Sequence, residues 1–482
     1  MNVVRKEFKF DYPILLLIMA LAFYIAFIPH YNYLYPVHVD EWVHLAYSDA
    51  ILQSGRISFV DPFLGWSPVG LINPLPESGF YLFLSTLQQI SGLAWINIFR
   101  YFPSFIFMLT VLSVYVLANR EGFGWEAALL TCLIPTTLGV LGPGFLVPLS
   151  LGLLFIPISL FLVFNFRTPV SYFLLFFFTC FLLFMHAATA VGLIIIVIPY
   201  ILLSIKGNFR HSAFITLAMG TPFLVFPWIF SIVLPTASSL LQLQPLPDYI
   251  ELPRIIQTYG YLPVALCLVG VFILTIRRGK RNYGLVLGLL ILLAMLATFF
   301  TLHYGIPTMY FRGLMYTMLI MSIIAGAGLM ITRKLRLPEV ISTRLKPAFI
   351  TQNIGKLFCL ALVCATLAIA IPARQNTTYY HMIDDQDYEA FVWIENNVSE
   401  DYAKAILDPW KATAFAAITG KWIFTRIHAY PQDTDYQAYA FLEGGCSDTE
   451  FLRQNNLSII YTQLPCDNPD LIKVKDNIYL KR

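Results

Sequence analysis

Apolar residues run through the chain in long blocks rather than in short alternations. A helix needs about 20 apolar residues to cross a bilayer. Blocks approaching that length fall at 12–30, 98–117, 126–141, 147–164, 170–185, 187–205, 212–234, 259–276, 285–302, 314–332 and 357–372. They predict a polytopic α-helical membrane protein with about eleven transmembrane helices. Two polar stretches stand out, residues 31–97 after the first block and 373–482 after the last. The chain therefore divides by sequence into a membrane domain, 1–372, whose first outer loop is 31–97, and a soluble domain, 373–482. In the tail, 388–396 and 411–418 read as helices, while 405–407, 422–426 and 458–462 read as strands rich in β-branched and aromatic residues. Alternating strands and helices predict a small C-terminal extracytoplasmic α/β domain.

Composition agrees with the pattern. The chain is 58% hydrophobic and only 12% charged, against about 25% charged in soluble proteins. The net charge of +3 marks no nucleic-acid partner; what informs is where the charges lie. Arg5, Lys6, Lys9, Arg120, Arg167, Lys206, Arg210, the cluster Arg277, Arg278, Lys280 and Arg281, and the basic loop 333–356 all fall on one side if the N-terminus is cytoplasmic. Before the tail, the other side keeps Arg56, Arg100, Arg254 and Arg312. An odd number of crossings then places the tail outside the cytoplasm. The basic leader MNVVRKEFKF, with no small-residue cleavage site behind it, reads as part of an uncleaved signal anchor. Three glycosylation sequons, at Asn376, Asn397 and Asn456, all lie in the tail. So do Cys446 and Cys466, a disulfide candidate in an oxidising compartment, whereas the other five cysteines lie in apolar blocks.

The polar chemistry concentrates where the chain leaves the first block, in HVDEWVHLAYSDAILQSGRISFVDPF, residues 38–63. Adjacent carboxylates at the edge of hydrocarbon are functional candidates, because they are expensive to keep ionised there. On a helix opening at Asp40, the side chains of Asp40, His44 and Tyr47 share one face, and the helix N-terminus favours a carboxylate. The plainer alternative is a helix cap beside a solvated acid. Beyond Pro62 the loop is broken by Pro68, Pro74 and Pro76, and 80–90 predicts a short amphipathic helix lying in the interface and roofing the loop.

These pieces resemble the C-type (GT-C) membrane glycosyltransferases, with the protein O-mannosyltransferases and the lipid A aminoarabinose transferase as the closest likenesses. The resemblance is carried by Asp40-Glu41, Ser54-Gly55, Asp61-Pro62, Asn73-Pro74-Leu75-Pro76, His186-Ala187-Ala188-Thr189 and the late helix opened by Arg312. A soluble domain after the last helix is similar to archaeal members. The chain departs from the pattern in having no Lys after the proline-rich return, no WWDYG sequence and no acidic motif in the loop 142–148. These departures argue against a pyrophosphate-linked oligosaccharide and for a sugar on a polyprenyl (dolichyl) monophosphate. The resemblance implies an inverting transfer to a hydroxyl of a glycan, protein or lipid, with Asp40 as the base and Glu41 orienting the acceptor or holding a neighbouring group.

Arginine forks suit phosphate oxygens. Arg312 is the first choice for the donor phosphate, followed by Arg56, Arg100 and His44, with snorkelling to membrane lipids as the alternative for Arg100 and Arg254. His38, Tyr47, His186, His303 and Tyr310 are possible lining residues. No metal is required: the His38–His44 cluster has neither zinc spacing nor HExxH, although a divalent ion fits its donor types. The acids Asp384, Asp385 and Asp387 read as a solvated linker, and Asp408-Pro409-Trp410 as a turn. The rival class is a transporter or lipid flippase, which tends to carry mid-membrane charges and internal repeats; neither is evident.

Overall fold

The computed structural model describes residues 8–65, 71, 77–135, 142–225, 256, 259–302, 307–336, 348–427 and 432–482. Its helices, in order, are α1 (Phe8–Phe27), α2 (Val39–Ser54), α3 (Ser78–Ser91), α4 (Trp95–Asn119), α5 (Gly124–Thr131), α6 (Pro148–Asn165), α7 (Pro169–Ile205) and α8 (Phe209–Val225). They continue with α9 (Tyr261–Ile276), α10 (Lys280–Leu302), α11 (Pro307–Arg333), α12 (Ala348–Gln375), α13 (Asp385–Asn397), α14 (Pro409–Thr419), α15 (Asp433–Glu443) and α16 (Thr449–Gln454). The strands are β1 (Lys404–Ile406), β2 (Trp422–Ile423), β3 (Ile459–Tyr461), β4 (Leu471–Lys475) and β5 (Ile478–Lys481). Two compact units form, one from Met1–Pro29 with Tyr101–Thr377, the other from His30–Arg100 with Thr378–Arg482. Chain order and spatial grouping therefore differ: the first outer loop packs with the tail.

In the helical unit and the start of α4, seven helices among the described residues are long and apolar enough to cross a membrane. α11 is its hub, with 89% of its apolar window buried. Close approach is possible because the facing residues are small. A Cβ on Gly270 of α9 would overlap the Ile324 carbonyl of α11, and one on Gly326 would strike the Ala127 backbone of α5. Two polar pairs lie inside this packing: Glu126 is fully buried and meets Arg333 at 2.8 Å, and Thr131 bonds Ser322 at 2.9 Å.

The apolar blocks meet the helices unevenly. The blocks 170–185 and 187–205 are two helices joined across a kink within the 37-residue α7, whose backbone leaves the helical region at His186 (φ −163°, ψ 88°). Within the block 126–141 the described residues hold the eight-residue α5, which ends in a turn before Pro135, and 136–141 lie outside the described residues. Proline lacks the N–H that a continuing helix needs. α9 is 16 residues long, short for a crossing.

The second unit is an α/β sandwich in miniature. Its sheet runs in the order β2-β1-β3-β5-β4. β1 pairs in parallel with both β2 and β3, and β3–β5–β4 are antiparallel. α14 connects β1 to β2, the crossover that parallel strands require. The core gathers Ile406, Phe441, Leu442, Leu452, Leu457 and Ile460. The outer loop is stitched to this domain by hydrogen bonds: Ile423 N–H to the Phe63 carbonyl at 2.7 Å, Tyr33 O–H to the Ile383 carbonyl at 2.7 Å, and Tyr35 O–H to Asp385 at 2.8 Å. α2 packs on α14 and α3.

Candidate active site

The two adjacent acids have separate fates because they occupy the second and third positions of α2, about 100° apart around the helix. His38 is the N-cap, extended at φ −120°. Its ring Nδ1 accepts the Asp40 backbone N–H at 3.1 Å. Glu41 turns back: its Oε2 accepts the N–H groups of Val37 at 2.8 Å and His38 at 3.3 Å, closing a capping box. Glu41 is fully buried, so its carboxylate holds the neighbouring loop backbone. The Asp40 side chain is half-exposed, with Oδ2 at 3.8 Å from His38 Nδ1. Of the pair, Asp40 has the carboxylate open to a ligand.

The shared face of Asp40, His44 and Tyr47 is the face that α3 covers. His44 lies against the rings of Phe80 and Tyr81, with centroids 5.2 and 5.6 Å away. This places it within the α2–α3 interface, not on an open phosphate-binding surface. Tyr47 sits among Phe59, Phe63 and Tyr81. Periodicity finds such a face, but it does not tell which neighbour will cover it. Ser85 of α3 fixes the contact, donating to the Ser48 carbonyl at 2.6 Å.

Three residues missed in the sequence gather here. The Tyr81 hydroxyl donates to Glu77 at 3.1 Å. Burial, then the Glu77 charge, pushes the Tyr81 phenol well up, and Asp40 adds to the effect. Tyr81 thus keeps its proton between two acids. Arg426, from the tail, lies over the Phe63 ring at 4.8 Å; burial raises the Tyr47 phenol and the nearby Arg426 charge opposes the rise. Glu77 carried a signal, being the acid that closes the proline-rich return. Arg426 had none, since nothing in the sequence brings it beside residue 47.

The remaining candidates are dispersed. Arg56 follows α2, whose 1.5 Å rise per residue puts it roughly 20 Å along the axis from Asp40. Arg56 therefore stands apart from Asp40 along the helix. Arg100 is half-buried on α4. In the helical unit, Arg312 is half-buried on α11, and Tyr310 is fully buried against Phe299 at 4.7 Å. His186 is buried at the break in α7, bonded to Thr189 at 2.6 Å, which meets the Tyr316 hydroxyl at 2.9 Å. His186 and Tyr310 are packed side chains, not an open lining. His303, Arg254 and the segment 73–76 lie outside the described residues. Among the described residues no cluster of three His, Cys, Asp or Glu side chains could hold a metal ion.

The acidic run in the tail is no solvated linker. Asp384 caps α13 through the Asp387 N–H at 2.8 Å. Asp387 is buried and takes Lys411 at 2.7 Å and the Tyr461 hydroxyl at 2.6 Å. Asp408 is the N-cap of α14, with Pro409 in the first turn. Cys446 and Cys466 are free thiols in hydrogen-bond contact.

With this arrangement in view, the fold can be set beside known ones. It is similar to the oligosaccharyltransferase of Archaeoglobus fulgidus in its apo form, with a TM-score of 0.64 at 13% identity over 95% of this chain and 70% of that one. The same archaeal oligosaccharyltransferase, AglB, in complex with an inhibitory peptide and a dolichol-phosphate, matches with a TM-score of 0.62 at 14% identity, over 93% and 68%. A third structure, a complex with Zn and sulfate, gives 0.60 at 13%, over 93% and 67%. No protein-family model and no curated protein matches the chain. The structural likeness is thus to an oligosaccharyltransferase, and the nearer likeness to O-mannosyl and aminoarabinose transferases rests on the loop sequence alone.

Proposed function

We propose that the protein is an inverting, membrane-embedded glycosyltransferase that moves a monosaccharide from a polyprenyl (dolichyl) phosphate to a hydroxyl acceptor. The observation that carries this reading is the opening of α2, where Asp40 is half-exposed at a capped helix N-terminus and Glu41 is committed to the cap. The AglB structure that binds a dolichol-phosphate supports a lipid-linked donor. Absence of WWDYG and of a second acidic loop motif favours the monophosphate.

In this reading Asp40 takes the acceptor hydroxyl's proton as oxygen attacks the anomeric carbon, and the polyprenyl phosphate leaves with the electrons of the C–O bond. Such a hydroxyl is far too weak an acid to ionise alone, so a positioned base is worth about 10²–10⁴-fold. Arg312 neutralises the departing phosphate. Arg426 and Tyr81 orient groups beside Asp40. The bundle crosses the membrane about eleven times, with the N-terminus cytoplasmic and the tail extracytoplasmic.

The test is transfer by the purified protein in detergent, from a panel of polyprenyl-monophosphate and polyprenyl-pyrophosphate sugars, with and without EDTA. Transfer from a monophosphate donor that survives EDTA is the expected outcome. Turnover only from pyrophosphate-linked oligosaccharides, or loss in EDTA, would return the site to the chemistry of a metal-dependent oligosaccharyltransferase. No turnover with any donor would favour the flippase class.

A further inference from the structure

A cleft of about 850 Å³ opens along the C-terminal half of α2, away from Asp40. Its size falls in the roughly 300–1,000 Å³ range of small-ligand sites. One wall is the α2 face of Ala46, Asp49, Ala50 and Gln53; the other is the C-terminal end of α14 and Trp422. Trp95 closes it.

Both indoles are held in place. Trp95 Nε1 donates to Asp49 Oδ1 at 2.8 Å, and Gln53 bonds the other oxygen of Asp49 at 2.5 Å. Trp422 is backed by Gly65, where a Cβ would collide with the ring and the backbone sits at φ +75°. Only glycine meets both demands. The polar lining is Gln53, Arg56, Asp61 and Glu395 around these rings.

We propose that this cleft binds a neutral oligosaccharide, the acceptor of the transfer; its acceptor role rests on the reading above, whereas saccharide binding does not. A pyranose presents C–H groups on its faces and hydroxyls around its rim. Electron-rich aromatic faces suit the former, and carboxylates, an amide and a guanidinium suit the latter. Charge decides against an anion. Asp49, Asp61 and Glu395 outnumber Arg56, and the C-terminus of α14 adds its negative dipole end. Arg56 therefore serves a hydroxyl ligand here, and the donor phosphate is excluded.

The full-length protein in detergent is applied to an array of neutral, amino and uronic oligosaccharides beside a random-peptide array. Gln53 and Arg56 are exposed, so Gln53→Ala/Arg56→Ala keeps the fold, checked by melting. Neutral oligosaccharides are retained by the wild type and by Asp40→Asn, and the double variant binds them at least roughly tenfold more weakly, as the removal of two hydrogen-bonding contacts, one of them charged, predicts. Retention of no neutral oligosaccharide, unchanged retention by the double variant, or retention of peptides instead overturns the assignment. Saccharide retention without sugar transfer counts against the transferase reading alone; donor turnover without saccharide retention counts against the cleft alone.

Discussion

Asp40 and Glu41 are neighbours of the same charge, yet their surroundings assign them opposite work. Glu41→Ala removes the acceptor of two backbone N–H groups and should lower stability by about 1–3 kcal/mol, the range for buried groups left unpaired. Asp40→Asn keeps the helix start, and its melting temperature should stay near wild type while transfer falls. Thermal melts of the two variants check this division. A second residue-scale prediction concerns Cys446 and Cys466, whose side chains interact. Oxidation should join them, read as the loss of two iodoacetamide-reactive thiols that reductant restores. Oxidation would close a loop of the size that adds roughly 3 kcal/mol.

At the scale of elements, α13, α14 and β3 are locked through Asp387, which joins Lys411 and Tyr461. Lys411→Met leaves the buried carboxylate without its cation. Breaking such a pair from one side costs about 3–5 kcal/mol; the surviving Tyr461 and backbone bonds put the expected loss near 3 kcal/mol by that scale. Chemical denaturation of the intact protein measures it. The acids 384–387 looked like a solvated run because charge density is legible in sequence, but the lysine and tyrosine that bury Asp387 come from residues 411 and 461. Helix ends were more readable, since Asp408-Pro409 and the Gly55 stop are local signals. The β4–β5 hairpin was missed because its strands are short, five and four residues, and β4 beyond Leu471 is exposed.

For the molecule as a whole, the apolar blocks made its membrane character and helical bulk plain. Helix number was less legible, because hydrophobicity measures how apolar a segment is and not whether the helix continues. The break at His186 does fall where the blocks 170–185 and 187–205 meet, whereas Pro135 follows the short α5 closely. Spatial grouping was hidden for another reason: the outer loop joins the tail through Phe63, Tyr33 and Tyr35, contacts spanning some 350 residues of sequence. Asp40 was found because its signal is local. Arg426 reaches the site only through packing of the tail against the outer loop, which a single sequence does not display.

The most direct test of the account is single-turnover sugar transfer from a polyprenyl-monophosphate donor by the wild type and by Asp40→Asn, with donor binding measured on both. The account predicts a fall in the transfer rate of about 10²–10⁴-fold, the contribution of a positioned base, with donor affinity unchanged. Transfer by Asp40→Asn at the wild-type rate would contradict it.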